Sequence, residues 1–417
     1  DETSFNRLAL KARTPAVAFF RAASCEVCQA AGPELELIEN ATLIVENGKI
    51  AAIERQPREH GIDLKGGLVI PAFVDAHTHI ADTGAKELGT GMLVEDAVLP
   101  PNGLKHRYLQ QLSEERLIET IRQGLKEMLK SGVAAFGDFR EGGLDGIRAL
   151  RKASRGLPIR PVILGRPMAD YKAGFELTRK ELEAVAEEAD GFGISSINAF
   201  GLEVYHQIRE IVGDKVFAIH LSESPRDHEN SLQTFGETEV KRAFAFEPDL
   251  MVHLTHATES DLVELKARSQ RIACCPRTNL ILGDGIPPLH EFFARGIPIS
   301  IGSDNMMFSS PDLFREMDTA SRVTRGATKE PRSIDSSYLL RSATFSGAQA
   351  LKLDRAMGSL EPGKDATFLV LDTSRDPFVY THDLVSSVVH RCGPSDISRF
   401  VCAGTTVIED FEFKLNL

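Results

Sequence analysis

Three things are scarce in this 417-residue chain, and each scarcity removes a class of protein. Basic charge is the first: 48 Lys and Arg face 60 Asp and Glu, a formal charge of -12, which argues against the concentrated cationic footprint that nucleic acid requires. Long apolar runs are the second. No window approaches the roughly twenty residues of a membrane span, and the opening DETSFNRLALKAR lacks a basic-then-apolar signal pattern. A cytoplasmic protein is expected. Cysteine is the third, since six in so long a chain are too sparse for a disulfide framework. Cys25 and Cys28 form a CxxC with no second pair nearby, and read as reduced thiols; Cys274 and Cys275 sit in an apolar stretch, and neither reads as a nucleophile. What remains is 42% hydrophobic content, enough for a large core, and a balance that suits an enzyme acting on small molecules.

Residues 1–35 are weakly patterned and are left as a leader without a role. From Leu35 the text turns to β texture, with the Asn47-Gly48 dipeptide of a tight hairpin, so residues 36–68 are read as the N-terminal part of a small β-sandwich. Strand-like and helix-like stretches then alternate. Val69–Ala76, VAAFGDF, RPVIL, GFGISSI, KVFAIH, LMVHLTH, RIACC and IPISIGSD each precede a helical pattern, giving about eight βα units. Eight is the number that closes a parallel (β/α)8, TIM-type barrel, placed here over residues 69–352. Residues 353–417 return to alternating apolar texture and are expected to complete the sandwich begun by the N-terminal segment. Between His79 and Leu112 no period is visible; a connection of that length is usually a lid or binding loop.

The chemistry starts at VIPAFVDAHTH. A strand has a side-chain period of two, so His77 and His79 point the same way and can meet one ion; two partly exposed turn histidines are the alternative. Other strand ends decide between them, because a barrel gathers its catalytic groups there. His220 ends the fifth strand, His253 the sixth and Asp304 the eighth, a set suited to one hard or borderline divalent ion, zinc first and iron as the alternative. Held by His77, His79, His220 and Asp304, it would lower the pKa of its water. Glu223, three residues beyond His220 in HLSE, stands where an acid for the leaving nitrogen is needed, and Asp304 is also placed to accept a proton. His256 competes with His253 but falls in the turn. Arg140 and Arg166, near the ends of the second and third strands, would either hold an anionic arm of the substrate or pair with acids such as Glu141.

On IPAFVDAHTH, HLSE, VHLTH, CPRTNLILGDG, IGSD and ATFSGAQALKLDRAMGSLEPGKDATFLVLD, the chain resembles the amidohydrolase superfamily over nearly its whole length past the leader. Within it the chain is most similar to the mononuclear aminohydrolases: cytosine, guanine and S-adenosylhomocysteine deaminases and triazine hydrolases. The resemblance implies that His77, His79, His220 and Asp304 hold the ion, that Glu223 shuttles protons, and that His253 polarises the attacking water. The dinuclear branch carries a lysine at the end of the fourth strand, whereas GISSIN has none, which favours one metal. Asn279, in CPRTNL, lines the pocket or serves a core turn.

The expected activity is therefore deamination of an N-heterocyclic small molecule by metal-activated water. Two other readings stay open: hydrolysis of a cyclic amide or imidazolone, and a metal-binding barrel without turnover. No nucleic-acid or membrane partner is expected, and a homo-oligomer is compatible with such a barrel.

Overall fold

The computed structural model of the chain describes residues 16–21, 34–39, 41–55, 62–64, 66–172, 174 and 176–415. Cys25, Cys28, His60 and most of residues 1–35 lie outside them. Five strands precede the barrel: β1 (Ala16–Arg21), β2 (Glu34–Glu39), β3 (Thr42–Glu46), β4 (Lys49–Glu54) and β5 (Leu68–Pro71). Nine build it: β6 (Phe73–His79), β7 (Val133–Arg140), β8 (Arg160–Gly165), β9 (Gly191–Ile194), β10 (Val216–Leu221), β11 (Leu250–His253), β12 (Arg271–Cys274), β13 (Ile299–Ile301) and β14 (Asp304–Asn305). Then come β15 (Phe368–Leu371), β16 (Ile397–Cys402), β17 (Thr405–Glu409) and β18 (Glu412–Phe413).

The barrel strands β6 to β13 lie side by side in chain order and in parallel, and β14 returns to pair with β6. β13 and β14 are the two halves of the eighth strand, broken at Gly302 and Ser303. The break wraps around His77: a Cβ on Gly302 would sit 2.7 Å from the His77 carbonyl oxygen. Both faces of these strands are covered, so β7 is buried at all eight positions, as expected of a parallel sheet inside a ring of helices. The first of those helices, Glu114–Lys130, starts where the Ser113 side chain accepts the Arg116 N–H (3.3 Å) and buries Ile121, Leu125, Met128 and Leu129.

One run reads differently in three dimensions. Val69–Ala76, expected as a single strand, changes sheets at Ala72: β5 pairs with β15 and β1, while β6 enters the barrel. Pro71, without an N–H, stands at the change. The terminal sheet has the order β18-β17-β16-β15-β5-β1-β2, so both ends of the chain contribute to it, and β1 comes from the stretch read as a weakly patterned leader. Its strands alternate. Leu68, Ile70, Leu369 and Leu371 join the barrel core, while Val69, Phe368 and Val370 face the β3–β4 hairpin through Ile50, which makes the small sandwich. Asn47 (φ 52°) and Gly48 (φ 74°) adopt the left-handed pair that its turn requires.

The helices otherwise follow the apolar periods, with some departures. Helices Pro225–Phe235, Pro276–Leu282 and Leu384–Arg391 were not expected, the last inside the stretch 353–417 read as alternating β texture, and residues 336–350 form two short helices, Ser336–Ser342 and Phe345–Ala350. The segment after β6 is not patternless. It holds a 3-10 turn (Ile80–Ala85) and the helices Val94–Ala97 and Leu104–Gln110. Val94 and Ala97 pack on Leu282, with Val98 and Phe308 alongside, so this segment lies across the C-terminal end of the barrel and covers it.

Candidate metal centre

Five side chains from four strand ends meet under that cover. His79 Nε2 lies 3.3 Å from His220 Nε2 and 3.5 Å from Asp304 Oδ1; His77 Nε2 lies 3.2 Å from the same carboxylate oxygen. Donor atoms of His77, His79 and His220 fall within 4.8 Å of one another, and so do those of His77, His253 and Asp304. All five residues are buried. Burial pushes the imidazoles down, His79 to about 3 and His220 well below its ordinary value, so they are neutral and keep a lone pair for a ligand. Asp304 goes the other way: burial works to raise it, but its contacts with His77, then His253 and His79, hold it below the usual carboxylate range.

The backbone is bent to make this arrangement. His253 (φ 72°), Ser222 (φ 50°) and Asp304 (φ 61°) are left-handed non-glycine residues at three of the strand ends. Such conformations cost energy, and they cluster where side chains must be aimed at a site. Two buried carboxylates tie the first strand to the eighth: Asp75 accepts from Ser303 N (2.9 Å) and Oγ (2.6 Å), and Asp82 from Asn305 Nδ2 (2.8 Å) and Met307 N (3.1 Å). Asp304 lies between those anchor points.

Several buried polar atoms are left without a hydrogen-bond partner among the described residues. They include both ring nitrogens of His77, His253 Nε2 and Asp304 Oδ2. An unmet buried polar atom is expensive, and such atoms on three neighbouring side chains, His77, His253 and Asp304, fit a ligand-binding centre better than a satisfied core. The donor set, imidazole nitrogens with one carboxylate, is that of a divalent transition-metal site.

Glu223 lies just beyond β10, its Oε1 3.5 Å from His253 Nε2. Burial, then the charges of Asp304 and Asp227, push its carboxyl well above the usual range. Asn279, on the helix Pro276–Leu282, donates from Nδ2 to His253 Nδ1 (3.2 Å), which leaves the His253 proton on Nε2, facing Glu223. His256 is not part of the group and bonds the Asp284 carbonyl (2.8 Å). The arginines are engaged elsewhere. Arg140 meets Asp138 through Nη1 (3.1 Å), Glu141 Oε2 through Nη2 (2.6 Å) and the Glu141 carbonyl through Nε (3.0 Å). Arg166 reaches Asp170 (2.8 Å) and Glu141 Oε1 (3.1 Å), and its Nη2 has no hydrogen-bond partner among the described residues.

Lys105 was missed as a neighbour of the site, and Glu141 was named only as an acid for Arg140 and Arg166 to pair with. Glu141 Oε1 accepts from His79 Nδ1 (3.0 Å) and meets Lys105 Nζ at 2.8 Å, and both residues are buried. Glu141 had a readable signal, its place one residue past a barrel strand. Lys105, in the segment without a period, had none.

Residues 68–408 match the amidohydrolase family, and the chain belongs to it. It is accordingly a hydrolase of carbon–nitrogen bonds in a metal-dependent family. Among its relatives, an uncharacterized protein of Methanocaldococcus jannaschii is 35% identical over 373 residues (87% of this chain, 93% of the other), and a putative aminohydrolase of Methanothermobacter thermautotrophicus is 35% identical over 383 (90% and 96%). A 5-methylthioadenosine/S-adenosylhomocysteine deaminase of Acetivibrio thermocellus is 24% identical over 406 residues (91% of each). Among solved structures, an adenosine deaminase from Xanthomonas campestris with bound zinc superposes with a TM-score of 0.77 at 19% identity (91% and 90% covered), a likeness of fold. No helix among the described residues is long and apolar enough to cross a membrane.

Proposed function

We propose that this enzyme is an aminohydrolase: it replaces an exocyclic amine on an sp² carbon of an N-heterocyclic small molecule by oxygen from water and releases ammonia. The observation that carries the reading is the convergence of His77, His79, His220 and Asp304 in a buried space where polar atoms lack partners, with Glu223 and His253 beside them. Those four residues would hold a single divalent ion, zinc. When bound, such an ion lowers the pKa of a coordinated water towards neutrality.

The protein's own groups do the rest. Glu223 keeps a proton because burial disfavours its charged form, gives that proton to the ring nitrogen, and relays the proton of the attacking water to the departing amine. The Nε2–H of His253, aimed by Asn279, orients that water. The segment 80–112 over the barrel end keeps bulk solvent out. Arg166 Nη2 is available to an oxygen of the substrate, whereas Arg140 is spent on Asp138 and Glu141. The deaminases and the putative aminohydrolase among the relatives support this choice of reaction.

The test is metal analysis after exhaustive dialysis, followed by an ammonia-release screen of purines, pyrimidines, pterins and cyclic amides. One zinc per chain with ammonia from a heterocyclic amine supports the proposal. Ring opening without ammonia would replace it with cyclic-amide hydrolysis, and metal without turnover with a binding barrel.

A further inference from the structure

Glu141 is an unusual buried carboxylate because one of its oxygens, Oε1, has three partners from three separate elements. His79 Nδ1 comes from β6 (3.0 Å), Arg166 Nη1 from just after β8 (3.1 Å) and Lys105 Nζ from the helix Leu104–Gln110 (2.8 Å). Its other oxygen is taken by Arg140 (2.6 Å). Facing a carboxylate, His79 must carry its proton on Nδ1. The Nε2 lone pair is then turned towards His220 and Asp304, at 3.3 and 3.5 Å. Among the described residues Lys105 Nζ has Glu141 as its one anionic partner, although the side chain is buried to 2% exposure. A lysine taken out of water on a covering segment, to reach an oxygen that already has two donors, needs a reason beyond the stability of that segment.

We infer that Glu141 is a positioning residue for the metal centre, setting the tautomer and ring orientation of His79, and that Lys105 is the part of this device that the covering segment contributes. The inference rests on the metal-site reading above. Its consequence is that retention of the ion depends on a residue of the cover that is not itself among the metal-binding side chains and acts through Glu141. A carboxylate behind a ligating histidine typically changes metal affinity by about 10- to 100-fold. Removal of Lys105 leaves Glu141 two cationic partners, so its effect has the same direction and a smaller size.

The experiment measures zinc affinity by chelator competition and the visible absorption spectrum of the cobalt-substituted protein, for the wild type and for Glu141→Gln, Lys105→Met and Lys105→Arg. Expected are at least about 10-fold weaker zinc binding and an altered cobalt spectrum for E141Q. K105M should show a weaker effect of the same kind, and K105R a return towards the wild type. Because E141Q leaves three buried cations short of a partner and can fail to fold, K105M decides alone if it does. Wild-type zinc affinity and an unchanged cobalt spectrum in K105M overturn the inference while leaving the deaminase proposal standing. A wild-type protein that holds no divalent ion removes both.

Discussion

Two buried polar clusters lie side by side at the C-terminal end of the barrel, and they are built on opposite plans. Around Glu141, nearly every charge is answered: Arg140 by Asp138 and Glu141, Arg166 by Asp170 and Glu141, Lys105 by Glu141. Around Asp304, four strand ends bring nitrogens and oxygens together and leave several without hydrogen-bond partners among the described residues. The first cluster is closed and acts as scaffolding; the second leaves polar atoms unanswered among the described residues, which supports the metal site proposed above. His79 belongs to both, with Nδ1 in the closed cluster and Nε2 in the open one.

The contrast can be broken experimentally, beginning with the largest effect. Replacing a residue of the open cluster, His220→Ala, should remove stoichiometric metal and bring turnover to background while folding survives, because a group with few protein partners is lost; metal analysis and circular dichroism check both halves. Glu223→Gln should retain metal and lower kcat by about 10²- to 10⁴-fold, the usual size of a general acid–base contribution. Unchanged kcat would take the proton relay away from Glu223. In the closed cluster the currency is stability instead: Arg140→Met strands Asp138 and Glu141 and should destabilise the fold by about 3–5 kcal/mol, read from denaturant unfolding. The smallest effect belongs to pairs in water. Arg322→Ala, which breaks an exposed contact with Asp318, should move Tm by no more than about 2 °C.

Much of this was legible in the text of the chain because it rests on local rules. The alternation of apolar runs with helical periods marks eight βα units, and histidines at the ends of KVFAIH and LMVH can be placed by strand period alone. The rest depends on tertiary context. Val69–Ala76 reads as one strand since both halves are buried, and nothing local says that they are buried in different sheets. The helix Pro276–Leu282 is only seven residues long, too short for a period, yet it delivers Asn279 to His253. Lys105 looks like an ordinary surface charge until the covering segment removes water from it. Arg140 and Arg166 were weighed both as substrate contacts and as partners of Glu141; both do pair with Glu141, and of the two Arg166 alone keeps a nitrogen without a hydrogen-bond partner among the described residues.

The account turns on one cation drawn to the open cluster, and anomalous X-ray scattering at the zinc edge from crystals of the zinc-loaded protein tests that directly. A single strong peak within bonding distance of His77, His79, His220 and Asp304 is the expected result. A peak elsewhere, or none at those four side chains, would contradict it.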